Sequence, residues 1–473
     1  MTRNKLFAFL LLGFSTTTVI AQSRLDGDWQ GVLKVPGNEL HVVFHIKDST
    51  ATMDVIEQKA KGIAASGVIM KGDSVRINVA KLGAFYAGAI KSADLINGSW
   101  YQGGAALPMD IERGKELPAE VKLNRPQTPQ PPYSYISEDV TFQNGDKSIQ
   151  YGATLTLPNG AGPFPAVLLL NGSGLQNRDG EILGHKPFAV IADHLTKSGY
   201  AVLRVDDRGT GQTTGPVTDV TTADFAKDAN AALDYLQTRK EINKKKIGLA
   251  GHSEGGIIAQ MLATSRKDID FVIFLASPAI KIRDLMLEQN AAILKNKPGM
   301  TEEGLKEYLM LYNSVTGAVV ASKSAPEVKA GVLAAVKQWI DVTDPEIVLA
   351  TIGVNDKNNW EGIGEQIAQN YLNAWTRYFL AYDPQPYLQK INAKVLALNG
   401  SKDVQVLSSS NLKGMEAGLA KSKSKYTIKE LAGLNHLFQL CIRCTVDEYG
   451  KLEESFAPVA LIAMTEWLDK NVK

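Results

Sequence analysis

The sequence predicts an α/β protein in which a mostly parallel sheet carries helices on both faces, preceded by a small all-β domain. Three observations predict it. From Ala166 onward, short apolar runs alternate with segments of helical period. Upstream, residues 22–113 hold short runs of alternating polarity broken by Gly, Asp and Asn. Between them, Pro118, Pro126, Pro129, Pro131 and Pro132 mark an extended linker over 114–134.

The 473 residues are enough for two or three domains, and 44% apolar with 21% charged residues is ordinary globular composition. A net charge of +1 gives no reason to expect nucleic acid or an acidic membrane surface as partner. Residues 1–21 run from a basic start, Thr2 to Lys5, through an apolar stretch, Leu6 to Phe14, to Val19-Ile20-Ala21. This is the pattern of a signal peptide cleaved before Gln22, and it predicts a periplasmic or secreted protein. The apolar run is too short and interrupted for a membrane span, and no run of eighteen apolar residues follows.

In the β-rich segment, Leu40 to Ile46 and Ser74 to Val79 read as strands of a small sandwich or barrel. Trp29 and Trp100 are expected in its core rather than on a ligand. His41 and His45 face one side of a strand, but without a third ligand they read as structural. The second domain, 135–473, opens with a hairpin: Val140-Thr141-Phe142, the turn signal Asn144-Gly145, and Tyr151 to Leu157. Strands follow at Ala166–Leu170, Ala201–Val205, Ile247–Ala250, Phe271–Leu275 and Val395–Leu398. A helix over Ala223–Gln237 presents Phe225, Ala229, Leu233 and Leu236 on one face. Residues 281–385 interrupt the alternation with several helices. Such an insertion would sit over the C-terminal strand edge, where open α/β sheets bind ligands, and so reads as a lid.

The run Ile247–Ala250 ends in Gly251-His252-Ser253-Glu254-Gly255, a G-x-S-x-G pattern, and a helical stretch to Ala263 follows at once. A sharp turn here pushes the Ser253 hydroxyl out of the sheet; a serine so placed can also merely cap the helix. An activated serine needs a base and a group to orient it. His436 lies in a short loop after the strand Tyr426–Leu431, and Asp403 in the loop after Val395–Leu398, both at the same sheet edge. Asp206 and Asp207 are alternative carboxylates. The backbone donors of an oxyanion hole would be the N–H of Glu254 and one from the glycine-rich loop Asn171–Gly180: Ser173, with Gly174 the alternative. That loop lacks the G-K-[ST] of a phosphate loop. The two cysteines, Cys441 and Cys444, have no redox or zinc context; they read either as two small residues near the active site or, in an oxidising compartment, as a local disulfide.

With its Asn171–Gly180 loop, the Asp207-Arg208-Gly209-Thr210-Gly211 motif, the elbow at Ser253, Asp403, His436 and the segment Trp375–Pro384, the chain resembles the α/β-hydrolase superfamily. More narrowly, it is similar to exported bacterial esterases and serine-aminopeptidase-like hydrolases with an N-terminal β domain. It departs from many of them at Asn171, where they carry histidine. The resemblance implies an α/β-hydrolase fold over 135–473 and the order Ser253, Asp403, His436. It implies a carboxylic ester hydrolase acting on a small-molecule or glycan-linked ester, with no metal or organic cofactor. A peptidase or aminopeptidase using the same triad, which would need a carboxylate to hold the substrate's ammonium, is the alternative. A catalytically inert glycan- or partner-binding protein is the reading from another class.

Overall fold

The computed structural model describes residues 23–35, 38–56, 60–102, 105–114, 124–295, 297, 300–352, 354 and 356–473. The expected signal peptide and residues 115–123 of the expected linker lie outside the described residues. The chain divides into two units, one through Lys122 and one from Leu123.

The first unit is a ten-stranded antiparallel sheet: β1 (Gly27–Val35), β2 (Asn38–Lys47), β3 (Thr50–Val55), β4 (Ala60–Ala64), β5 (Gly67–Lys71), β6 (Ser74–Val79), β7 (Ala84–Ser92), β8 (Leu95–Gln102), β9 (Ala105–Pro108) and β10 (Ile111–Arg113). Period two is plain in β6, where Val75, Ile77 and Val79 are buried and Ser74 and Arg76 exposed. Trp29, Phe44, Tyr86 and Trp100 fill the core, and the Trp29 indole N–H donates to the Leu25 carbonyl at 2.8 Å. His45 lies 2.7 Å from Asp28 and 3.3 Å from Asp54. Partial burial opposes its charge, but the two carboxylates hold the imidazole above its usual range. Among the described residues no cluster of His, Cys, Asp and Glu could hold a metal.

The second unit is built on eight strands: β11 (Ile136–Gln143), β12 (Gln150–Leu157), β13 (Phe164–Leu170), β14 (Ala201–Val205), β15 (Ile242–His252), β16 (Phe271–Leu275), β17 (Lys394–Gly400) and β18 (Tyr426–Leu431). Their order is β11-β12-β14-β13-β15-β16-β17-β18, antiparallel through β12 and parallel from β14 on. The continuous apolar strands are explained by two cores. Leu168, Leu170, Val272 and Phe274 enter one face; Val167, Leu169, Ile273 and Leu275 enter the other. The first face is covered by α2 (Thr222–Thr238), after α1 (Pro187–Lys197) in sequence, and by α3 (Glu254–Ser265); the second by α1 itself. Thr221 caps α2 with Asp224 in a reciprocal capping box, which defines where that helix begins.

Between β16 and β17 run α4 (Ile282–Leu294), α5 (Glu302–Ala321), α6 (Ala325–Val342), α7 (Pro345–Ile352), α8 (Glu361–Gln369) and α9 (Ala374–Ala381). They share a core of their own, in which Val328, Val332, Val336 and Ile340 repeat every four residues along α6. The short α10 (Gln385–Leu388) precedes β17, and after β17 come α11 (Ser408–Leu419) and finally α12 (Pro458–Asn471), which packs on the same face as α1.

From Arg125 on, the proline-rich stretch is tied to the second unit. Arg125 donates to the carbonyls of Leu452 and Gly450, both at 2.7 Å, and of Leu183 at 3.1 Å. Gln127 donates to the Phe456 carbonyl and accepts from the N–H groups of Ser455 and Phe456.

Candidate active site

Six parallel strands end at one edge, and the residues singled out above follow the C-termini of β13, β14, β15, β17 and β18. At the end of β15, Ser253 sits between strand and helix with φ 53° and ψ −119°, a conformation that L-residues avoid. Its flanking glycines are required by space. A Cβ on Gly251 would lie 2.2 Å from the Gly255 carbonyl oxygen, and one on Gly255 would lie 2.1 Å from that of Leu170. The turn is pinned by the Ser253 N–H, which donates to the Leu275 carbonyl at 2.9 Å.

Asp403 and His436 come together although 33 residues apart. His436 Nδ1 is 2.8 Å from Asp403 Oδ2, and both side chains are buried. The other carboxylate oxygen of Asp403 accepts from the N–H groups of Gln405 at 2.8 Å and Val406 at 2.9 Å, so the acid is held on both sides. A carboxylate at Nδ1 keeps the proton there and leaves Nε2 as the basic nitrogen. His436 and Ser253 line one cavity of about 280 Å³ with Gly172, Ser173, Trp375 and Phe456.

The loop Asn171–Gly180 passes beside the elbow: a Cβ on Gly172 would stand 3.4 Å from the Ser253 Cβ. Ser173 lines the cavity, whereas Gly174, at φ 93°, lines a neighbouring cleft. The N–H of Glu254 opens α3 and has no carbonyl one turn back within the helix. Asp206 and Asp207 are both engaged elsewhere. Asp206 pairs with Arg178 at 2.7 Å, and Asp207 accepts from Asn171 Nδ2 at 3.1 Å and from the Gln176 N–H at 2.8 Å. Burial pushes the Asp207 carboxyl up to about 7 despite these donors. Cys441 and Cys444 are joined in a disulfide.

Two side chains matter here that the motif does not announce. His252 Nε2–H donates to the His436 backbone carbonyl at 2.8 Å. The Glu254 carboxyl, 2% exposed, accepts from Thr222 Oγ1 at 2.6 Å and Trp375 Nε1 at 2.8 Å, and also bonds the Ser173 side chain. Burial raises it above the usual carboxylate range, with those three donors opposing. A glutamate at the first turn of a buried helix was the available signal, since an acid there demands partners.

A family described as "Serine aminopeptidase, S33" matches residues 185–320. Esterase EstD of Thermotoga maritima is 33% identical over 158 residues, 33% of this chain and 36% of that protein. The second unit has the α/β-hydrolase fold. Acyl-coenzyme A thioesterase 1 of Mus musculus is 28% identical over 162 residues, again 33% of this chain and 35% of the relative. The chain thus spans about a third of the length of the curated relatives it matches. Among solved structures, the α/β hydrolase GrgF of a Penicillium species is similar at 19% identity and a TM-score of 0.42, over 71% of this chain and 99% of that one. Within the α/β-hydrolase unit, the matched family segment spans α1 through the elbow to the end of α5, short by one residue.

Proposed function

We propose that the protein hydrolyses carboxylic esters of neutral, apolar character through an acyl-enzyme on Ser253. His436 Nε2 takes the Ser253 Oγ proton as Oγ attacks the acyl carbonyl. The N–H groups of Glu254 and Ser173 receive the oxyanion, and Asp403 holds the imidazolium. His436 then protonates the leaving alcohol, and a water activated by the same imidazole releases the acid.

The observation that carries the ester reading is the lining of the cavity. Leu275, Pro278, Leu285, Met286, Phe379 and Phe456 make it apolar, and no Asp, Glu, Lys or Arg is among its lining residues. An aminopeptidase would have to bury its substrate's ammonium there without a counter-charge, which is strongly unfavourable. Leu285 and Met286 of α4 and Trp375 and Phe379 of α9 supply part of that lining, which supports reading the helical insertion as a lid. We also propose export through residues 1–21, tested by N-terminal sequencing of the protein recovered outside the cytoplasm: a start at Gln22 supports it and a start at Met1 rejects it.

The test of the activity is hydrolysis of p-nitrophenyl acetate and butyrate beside Ser253→Ala, with acyl-coenzyme A esters and aminoacyl-p-nitroanilides in the same panel. Removal of the serine lowers ester turnover by about 10⁴–10⁶. Equal rates in both proteins reject Ser253, and turnover of the anilides alone rejects the ester reading.

A further inference from the structure

Ser173 and Trp375 line the cavity of Ser253, and the same two residues line a second cleft of about 460 Å³. Among the described residues they are the only ones common to the two linings, so they form the partition between them. The cleft is mostly apolar, with Asp219 and Asn373 its polar side chains beside Ser173. Leu175, Val217, Val220 and Phe225 border it, and Leu175 and Val217 are 46% and 45% exposed, large apolar side chains left open to solvent.

The partition is held in place from below. Glu254 accepts from the Trp375 indole N–H at 2.8 Å and also bonds the Ser173 side chain, and its third partner, Thr222, belongs to the buried face of α2. The Trp375 ring also stacks on Phe379, centroids 4.8 Å apart and planes within 13°, and Phe379 lines the Ser253 cavity. The indole is therefore fixed on one edge by a hydrogen bond and on one face by a ring, in register with the residue that follows the nucleophile.

We propose that Trp375 sets the length of the apolar chain this site accepts. Its ring closes the Ser253 cavity at about 280 Å³. A longer chain meets that ring, and removal of the ring joins the cavity to the apolar cleft beyond. Glu254 is the positioning residue that keeps the ring across the opening. The inference rests on the esterase reading and names the determinant of its substrate range.

The experiment compares kcat/KM for p-nitrophenyl octanoate with that for the butyrate, in the unaltered protein and in Trp375→Ala. Each newly buried methylene is worth about fourfold, so the octanoate-to-butyrate ratio rises by at least about tenfold in the variant. Refilling the cleft with Val220→Trp in the Trp375→Ala background returns the ratio towards its original value. Should Trp375→Ala fail to fold, Trp375→Leu carries the same expectation with a smaller rise. Ester turnover with an unmoved ratio, or a raised ratio that Val220→Trp leaves raised, overturns the inference while the esterase reading stands. Absence of ester turnover in the unaltered protein overturns both.

Discussion

The imidazole of His252 donates from Nε2 to the backbone carbonyl of His436 at 2.8 Å, so the residue before Ser253 grips the loop that carries His436. The two rings lie 4.8 Å apart between centroids. The elbow and that loop are thereby tied together, although 184 residues separate them in the chain.

That grip makes a prediction about His252. Replacing it by leucine frees the loop, and misplacement of a base by about 1 Å costs on the order of 10² in rate. The expected result for His252→Leu is a fall in kcat with KM little changed. His252→Gln, whose amide can still donate, recovers part of it. A KM effect alone would mean that His252 only shapes the cavity.

Asp403 offers one oxygen to His436 and the other to two backbone N–H groups. An asparagine cannot accept on both sides, so Asp403→Asn either turns an N–H₂ toward His436 Nδ1 or loses the loop. Turnover is expected to fall by about 10⁴, as for a triad acid, with KM preserved. A loss under tenfold would assign the orienting role elsewhere.

Glu254→Ala leaves the Trp375 indole N–H and the Thr222 hydroxyl buried without their acceptor. Each abandoned donor is worth about 1–3 kcal/mol, so urea unfolding should show a loss of about 2–6 kcal/mol. Both donate to the same oxygen, Oε1, so Glu254→Gln keeps their acceptor and should lose less than half as much.

Two buried groups make stability depend on pH in opposite senses. The Asp207 carboxyl is raised by burial from 3.8 to about 7. Between those values the folded protein keeps a proton that the unfolded chain releases, so this contribution is full below pH 3.8 and is lost as pH rises through about 7. His185 is lowered by burial, aided by the Arg125 charge, from 6.5 to about 4. There the unfolded chain binds the extra proton, so stability is lost as pH falls from 6.5 toward 4. Urea midpoints across pH 4–7 should lose their downward component in Asp207→Asn and their upward component in His185→Asn. An unaltered slope in either variant would contradict the burial argument for that residue.

What the sequence made legible is what is written locally. Phe271–Leu275 is a strand from end to end because it is a fully apolar run, and Ala201–Val205 because a single polar residue, Arg204, interrupts an otherwise apolar one. Ser253 stands out because only glycines fit around it. Asp403 and His436 could be placed at one edge because each follows a strand of recognisable length. The Glu254 bonds were not legible, since Thr222 is 32 residues before it and Trp375 is 121 after, and no periodicity links them. Nor were the Arg125 bonds legible: it stands in the stretch read as an extended linker, while the carbonyls it donates to include two that lie 325 and 327 residues further on.

Ser253 holds its φ of 53° as a residue that bears a β-carbon. Only glycine adopts such a backbone without penalty. Ser253→Gly should therefore unfold at a higher temperature than the unaltered protein, by relief of on the order of 1–3 kcal/mol of strain less the flexibility glycine adds to the unfolded chain, and be inert. Stability selection acting alone would erase the side chain at this position. The hydroxyl is carried on a strained joint of the fold, and drift toward glycine there is the change by which a descendant that had lost the proposed chemistry would betray itself.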